Sequence, residues 1–278
     1  MDLVSIKAVR RPRSDAELPA WQPGHAWLAG GTWLFSEPQW ALDTLIDLHG
    51  LDWPALQLAP EGLDIAATCP ISLVEKFAAP EEWIAAPLLG LCCQALLASF
   101  KIKNVATVGG NICMSLPAGA MTSLAVALEA RYTLWPRDGA PRVVPSAHFV
   151  TGNHANILAP GELLRSISIP ASALRKRFAF RQQSLTRLGR SAALIVGTRG
   201  IDESGFLLTI TAATPKPVQI YFAEMPSAAA LRDAIGHSIP ADGYFNDPHG
   251  RADYKRHLTY AFAEQIRLEL EAPAGAAE

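Results

Sequence analysis

Eighteen consecutive residues, Trp83 to Phe100, contain no charge, and this stretch limits what the chain can become more than any other. An uncharged run of that length must cross a membrane or be enclosed by protein. Pro87, Gly90 and Gln94 interrupt it, while Glu81, Glu82 and Lys101 close its two ends, which favours enclosure. Pro87 suits the first turn of a helix. The spacing therefore predicts a buried helix over 88–100, about 20 Å long at helical rise. A helix apolar on every side needs a partner on every side, so the rest of the chain must wrap around it.

The rest is sufficient for that. The chain has 278 residues, 50% of them apolar, with 24 Lys+Arg against 26 Asp+Glu. Nothing in that balance advertises a nucleic-acid partner. The charged opening MDLVSIKAVRRPR lacks the apolar core of a secretory signal, which makes cytoplasmic the default expectation, with no membrane span. Cys69, Cys92, Cys93 and Cys113 have no CxxC spacing, and the seven histidines form no paired motif. Zinc and iron–sulfur ligation thus have no local support, and the vicinal pair reads as small buried hydrophobes.

Secondary-structure signals alternate irregularly. HAWLAGG reads as a strand entering a glycine turn, GLDIAA as a short strand, and PISLVEKFAA and Met121–Ala130 as helices. Tyr132–Trp135 and Arg142–Val144 flank Asp138-Gly139, a hairpin signal. LLRSISIP is a strand, strands resume around a turn at Asp202–Gly205, and PSAAALRDAI and RADYKRHLTYAFAEQIRLELE are helices. The pattern is α+β, with a boundary near Ile169–Arg177 and a tail, EAPAGAAE, expected to fray.

Candidate chemistry lies in two segments, Leu28-Ala29-Gly30-Gly31-Thr32 and Thr107-Val108-Gly109-Gly110-Asn111. Each reads as an apolar strand ending in two glycines and a small hydrogen-bonding residue. Paired glycines permit positive φ and close approach to a ligand, and successive amides form a nest for phosphate oxygens. Two such loops across a cleft would grip a pyrophosphate without a basic side chain. With 20 glycines in the chain, however, a pair or two arises by chance, and most such pairs are only turns. Neither loop is GxGxxG or GxxxxGK[ST].

The ordered series LAGGTWLF, LIDL, LDIAATCPIS, ASFKIKNVATVGGNI, LPAGAMTSLAVALEA and GELLRSISIP, ending with DYKRHLTYAFAEQI, resembles the FAD-binding medium subunit of molybdenum hydroxylases, the xanthine dehydrogenase and carbon monoxide dehydrogenase flavoprotein family. The resemblance runs from about residue 3 to residue 270. It implies a two-lobed FAD-binding domain of the vanillyl-alcohol oxidase/MurB type over 1–172. A small C-terminal antiparallel sheet with helices would follow over 173–272, leaving 273–278 as tail. It implies noncovalent FAD held by Leu28, Ala29, Gly30, Gly31, Thr32, Trp33, Leu34 and Phe35, and by Thr107, Val108, Gly109, Gly110 and Asn111. Leu97 and Leu164 would lie beside the flavin, and Arg181 would stand where the family often has a flavin-contacting lysine. Two positions depart from the pattern: Ala120 stands where an aspartate is common, and Trp33 where a small or polar residue is usual.

The resemblance further implies an electron-transfer role, with no catalytic acid, base or nucleophile in this chain. Molybdopterin would sit in a large partner subunit and [2Fe–2S] clusters in a small one. NAD, a quinone or dioxygen would be the terminal acceptor. Two other readings stay open: a self-contained flavin oxidoreductase, and a scaffold whose flavin site has decayed. Five of the seven tryptophans fall in the first 53 residues, as core or as interface, and the basic run from Arg175 to Arg190 reads mainly as a solvated face.

Overall fold

The computed structural model describes residues 3–137 and 139–272. Asp138 of the expected hairpin turn and most of the expected frayed tail lie outside the described residues. The chain opens with three short strands, β1 (Ala8–Arg10), β2 (His25–Leu28) and β3 (Thr44–Asp47). They form a parallel sheet with β3 in the centre. Next come β4 (Leu56–Ala59) and β5 (Gly62–Ala66) and five helices: α1 (Ile71–Glu75), α2 (Pro87–Ala95), α3 (Phe100–Lys103), α4 (Val108–Cys113) and α5 (Ala120–Ala127). The strands β6 (Arg131–Trp135) and β7 (Arg142–Pro145) make the expected antiparallel pair. A small ribbon, β8 (Val150–Gly152) with β9 (Ala155–Asn156), precedes β10 (Leu163–Pro170). An antiparallel sheet of order β4-β5-β10-β6-β7 results.

After α6 (Ala171–Leu174), four strands make an antiparallel meander, β11 (Arg177–Ser184), β12 (Ser191–Arg199), β13 (Phe206–Thr211) and β14 (Val218–Phe222). The chain closes with α7 (Ala228–Ser238) and α8 (Ala252–Glu271). Helix and strand mix as the α+β reading expects. None of the described helices is long and apolar enough to cross a membrane.

The uncharged stretch behaves differently from the expected single helix. It starts as anticipated, with Pro87 in the first turn, but ends at Ala95, where Leu96 turns extended. Ser99 then accepts a hydrogen bond from the Ile102 amide and caps the new short helix α3. A serine whose hydroxyl accepts from the backbone three residues on starts a new helix rather than continuing the old one. Leu88, Leu89, Cys92 and Cys93 are buried, whereas Leu97 and Phe100 are 47% and 72% exposed. The end of the run, beyond Leu96, therefore faces outward, with Leu97 beside the cleft described below.

The enclosed helix is instead α5. All eight of its residues are buried, and its small Ala, Ser and Thr side chains let neighbours approach on every side. It packs on α2 and α4 and, across the molecule, on β12 and β13. Buried hydrogen bonds fasten this contact: Ser123 Oγ lies 2.7 Å from Thr211 Oγ1, and Gln219 Nε2 donates to the Val126 carbonyl at 2.8 Å. The Ala212 amide donates to the Pro117 carbonyl at 2.8 Å. Strand β12, with all nine residues buried, is covered on one face by this core and on the other by Ile266 and Leu270 of α8. Three of the early tryptophans, Trp21, Trp27 and Trp53, pack on a small cluster around Ile46 and Leu163, while Trp40 is exposed.

Candidate functional site

Strand β2 delivers the chain into the first glycine loop. There Gly31 adopts φ +67°, and its carbonyl accepts from the Phe35 amide at 2.8 Å, closing one helical turn. The first amides of such a turn have no partner within it. Among the described residues, no acceptor takes the amides of Gly30, Gly31, Thr32, Trp33 or Leu34. Five successive N–H groups are therefore left without a protein acceptor, an arrangement of the kind that suits anions.

The second loop differs from expectation. Val108–Cys113 is a helix, α4, and not the end of a strand. Thr107 is its N-cap: its hydroxyl oxygen accepts from the Gly110 amide at 3.1 Å. The Val108 and Gly109 amides donate to the carbonyls of Cys69 and Ala67, and the Asn111 amide to that of Thr107. The amides from Val108 to Asn111 are thus satisfied within the protein, and among the described residues of this loop Thr107 alone keeps a free one, so the loop adds no second nest. Its contribution is surface and side chain. Asn111 Oδ1 is fixed by the Met121 amide at 3.0 Å, which leaves its NH₂ group for another acceptor.

The two loops meet closely. A Cβ on Gly30 would stand 2.0 Å from the Val105 carbonyl oxygen, in the segment leading to Thr107. Only glycine permits this approach. Around that contact opens a cleft of about 810 Å³. Leu28, Ala29, Gly30, Gly31, Thr32, Trp33 and Leu34 form one wall, and Leu97, Thr107, Gly110 and Asn111 belong to the other. Met114, Leu116 and Gly119 extend the apolar floor.

Five expected site residues are not in the lining. Phe35 packs behind Gly31, and Val108 and Gly109 are buried beneath the cleft, Gly109 against Ala67. Leu164 lies in the large core, because β10 is covered on both faces: Leu163 serves the small tryptophan cluster and Leu164 the main one. Arg181 faces α8, where it donates to Gln265 Oε1 at 2.9 Å and Glu269 Oε2 at 2.6 Å. Strand alternation explains this, since Phe178 and Phe180 pack on the main core and Ala179 on the α8 side.

Arg190 and Ser191, at the end of the β11–β12 hairpin, do line the cleft. Arg190 ends the basic run, but no local pattern separates it from its neighbours there. Cys113 also reaches the lining, where burial pushes its thiol up to about 12 and disfavours the thiolate. Among the described residues, no group of three or more His, Cys, Asp or Glu gathers as a metal site.

The cleft suits FAD. Its volume falls within the range of ligand pockets, its walls are mainly apolar, and its polar end is a row of free amides. Sequence comparison decides the family. The family described as FAD binding domain in molybdopterin dehydrogenase matches residues 11–172, more than half of the chain. The chain belongs to that family.

Its relatives are oxidoreductases by name. The chain is 32% identical over 176 residues to the xanthine dehydrogenase/oxidase of Mus musculus, an alignment covering 60% of this chain and 12% of that protein. It is 25% identical over 256 residues to the carbon monoxide dehydrogenase medium chain of Hydrogenophaga pseudoflava, covering 87% of this chain and 84% of the other. The reconstituted CO dehydrogenase of Oligotropha carboxidovorans shares the fold, with a TM-score of 0.81 at 21% identity over 99% of this chain and 100% of that one. The chain is thus similar to a small part of the xanthine dehydrogenases, about 12% of the Mus musculus protein, and to most of the carbon monoxide dehydrogenase medium chain.

Proposed function

We propose that this chain is the FAD-carrying electron-transfer subunit of a molybdenum hydroxylase. It would take electrons from the [2Fe–2S] clusters of a small partner, supplied by a molybdopterin-bearing large one, and pass them to NAD or another small acceptor. The observation that carries this reading is the cleft itself, with five free amides at one end and apolar walls beyond. The loop Gly30–Leu34 would hold the diphosphate, Asn111 would donate to a ligand oxygen, and Leu97 would pack near the isoalloxazine. When bound, the flavin supplies the redox chemistry; the chain supplies position and a dry surface. We take 1–172 as the two-lobed flavin domain of the vanillyl-alcohol oxidase/MurB type and 173–272 as the C-terminal unit, in a cytoplasmic complex.

Purifying the tagged chain gently from its native host tests the assembly. Molybdenum and iron in fixed ratio to flavin support the proposal, and flavin without either metal overturns it in favour of a self-contained flavoenzyme.

Ala120 favours the scaffold as a second reading. It is buried at the first position of α5, next to Gly119 of the cleft lining, where a carboxylate would also meet the favourable end of the helix. A charged hydrogen bond to a ligand hydroxyl is worth about 1.5–3 kcal/mol. Ala120→Asp should therefore tighten FAD about tenfold or more in a fluorescence titration. Unchanged affinity would show that Ala120 is no lesion.

A further inference from the structure

We propose that Arg190, held over Trp33 at the cleft, is the side chain that anchors the ligand's diphosphate. The inference rests on the FAD reading above but concerns a residue outside the segment 11–172 that matches the FAD-binding family. Among the described residues lining the cleft, Arg190 is the one lysine or arginine and Glu37 the one carboxylate. A diphosphate diester brings two negative charges at neutral pH. The free amides of Gly30–Leu34 offer only partial positive charge, which leaves most of that charge unmet.

The placement of Arg190 follows from the hairpin. The Gly189 amide donates to the Thr186 carbonyl at 3.0 Å, forming the turn. A register shift between Gln183 and Ser184, opposite Ser191, bends the strand end, and Gln182 Nε2 donates to Ser191 Oγ at 3.0 Å. Arg190 emerges between these two restraints with its guanidinium carbon 5.9 Å from the centre of the Trp33 ring. No carboxylate pairs with it among the described residues. A guanidinium held over an indole face keeps its N–H edge free for a phosphate. Trp33 thus serves twice: its amide belongs to the free row, and its ring holds the cation next to that row. This also accounts for an indole at a position where the resemblance leads one to expect a small residue.

The test is calorimetric titration of the full chain and of Arg190→Gln, Arg190→Lys and Trp33→Leu with FAD, ADP and riboflavin. Arg190 is exposed, and unchanged thermal melts will confirm that the variants fold. Arg190→Gln should weaken FAD and ADP at least tenfold and leave riboflavin, which has no phosphate, unaltered. Arg190→Lys should recover part of the loss, and Trp33→Leu should lose several-fold. If FAD binds the parent and Arg190→Gln equally well, the proposal is overturned while the flavin reading stands. If ADP binding depends on Arg190 yet FAD is not taken up, the proposal stands and the flavin reading falls. A parent chain that binds neither FAD nor ADP overturns both.

Discussion

Gly30→Ala should abolish flavin retention and lower stability together. The new Cβ would lie 2.0 Å from the Val105 carbonyl oxygen and 2.8 Å from its carbon, both backbone atoms. Neither can rotate away, so the two glycine loops must separate by about an ångström or more. Overpacking of this kind costs about 1–3 kcal/mol. Separation also carries the free amides of Gly30–Leu34 away from Thr107 and Asn111, the groups across the cleft. We expect FAD affinity to fall by at least two orders of magnitude and the melting temperature by about 5 °C. Gly31→Ala is the informative control. Its Cβ would meet the Phe35 ring at 2.5 Å, a side chain that can move, and its φ of +67° costs Ala about 1 kcal/mol. Binding should weaken there without disappearing. Equal effects at both positions would show that the approach of the loops is not what forms the site.

Asp247→Asn should give the largest loss of stability in the chain. Lys255 is fully buried, and its Nζ has Asp247 Oδ1 at 2.9 Å and the Ala212 carbonyl at 3.2 Å. Neutralising the carboxylate leaves a buried ammonium without its counter-charge, a change that costs about 3–5 kcal/mol. Asn can still accept the His249 amide bond that Asp247 now receives, so the turn itself survives. The pH dependence distinguishes this cause from lost packing. Burial holds the Lys255 pKa below its ordinary value, and Asp247 opposes that shift. Between the folded and unfolded pKa values the unfolded chain binds the extra proton, so raising the pH there stabilises the fold. Removing the carboxylate lowers the folded pKa further and widens that window downward. The deficit of Asp247→Asn should therefore be greatest near neutral pH and shrink toward the alkaline lysine range. Urea denaturation at pH 7 and pH 9.5 measures this; a deficit constant with pH would refer the loss to packing instead.

Local chemistry made much of the site legible. Leu28 to Leu34 could be read as a ligand wall because paired glycines after an apolar strand leave amides unpaired, and that is how the loop is built. The same reasoning misjudged Thr107–Asn111. Its glycines look alike in sequence, but Thr107 caps Gly110, and Ala67 and Cys69 accept the neighbouring amides. The threonine three residues before Gly110 was the available sign, since that spacing belongs to helix starts. Ser99 was likewise the sign that the uncharged run would break. Leu164 and Arg181 depended on which face of a strand meets which layer, and that is set by tertiary packing on both sides of β10 and β11. Arg190 was least accessible. It reaches the cleft from a hairpin of another sheet, and nothing within ten residues of it describes that encounter.

The most direct test of the central claim is the absorbance spectrum of the purified chain, before and after incubation with FAD and gel filtration. The two-band spectrum of an oxidised flavin, retained by the parent, released into solution by acid and absent from Gly30→Ala, is the result the structure predicts. A colourless parent chain that takes up no added FAD would contradict it, and would leave the cleft as the remnant of a flavin site in a scaffold subunit.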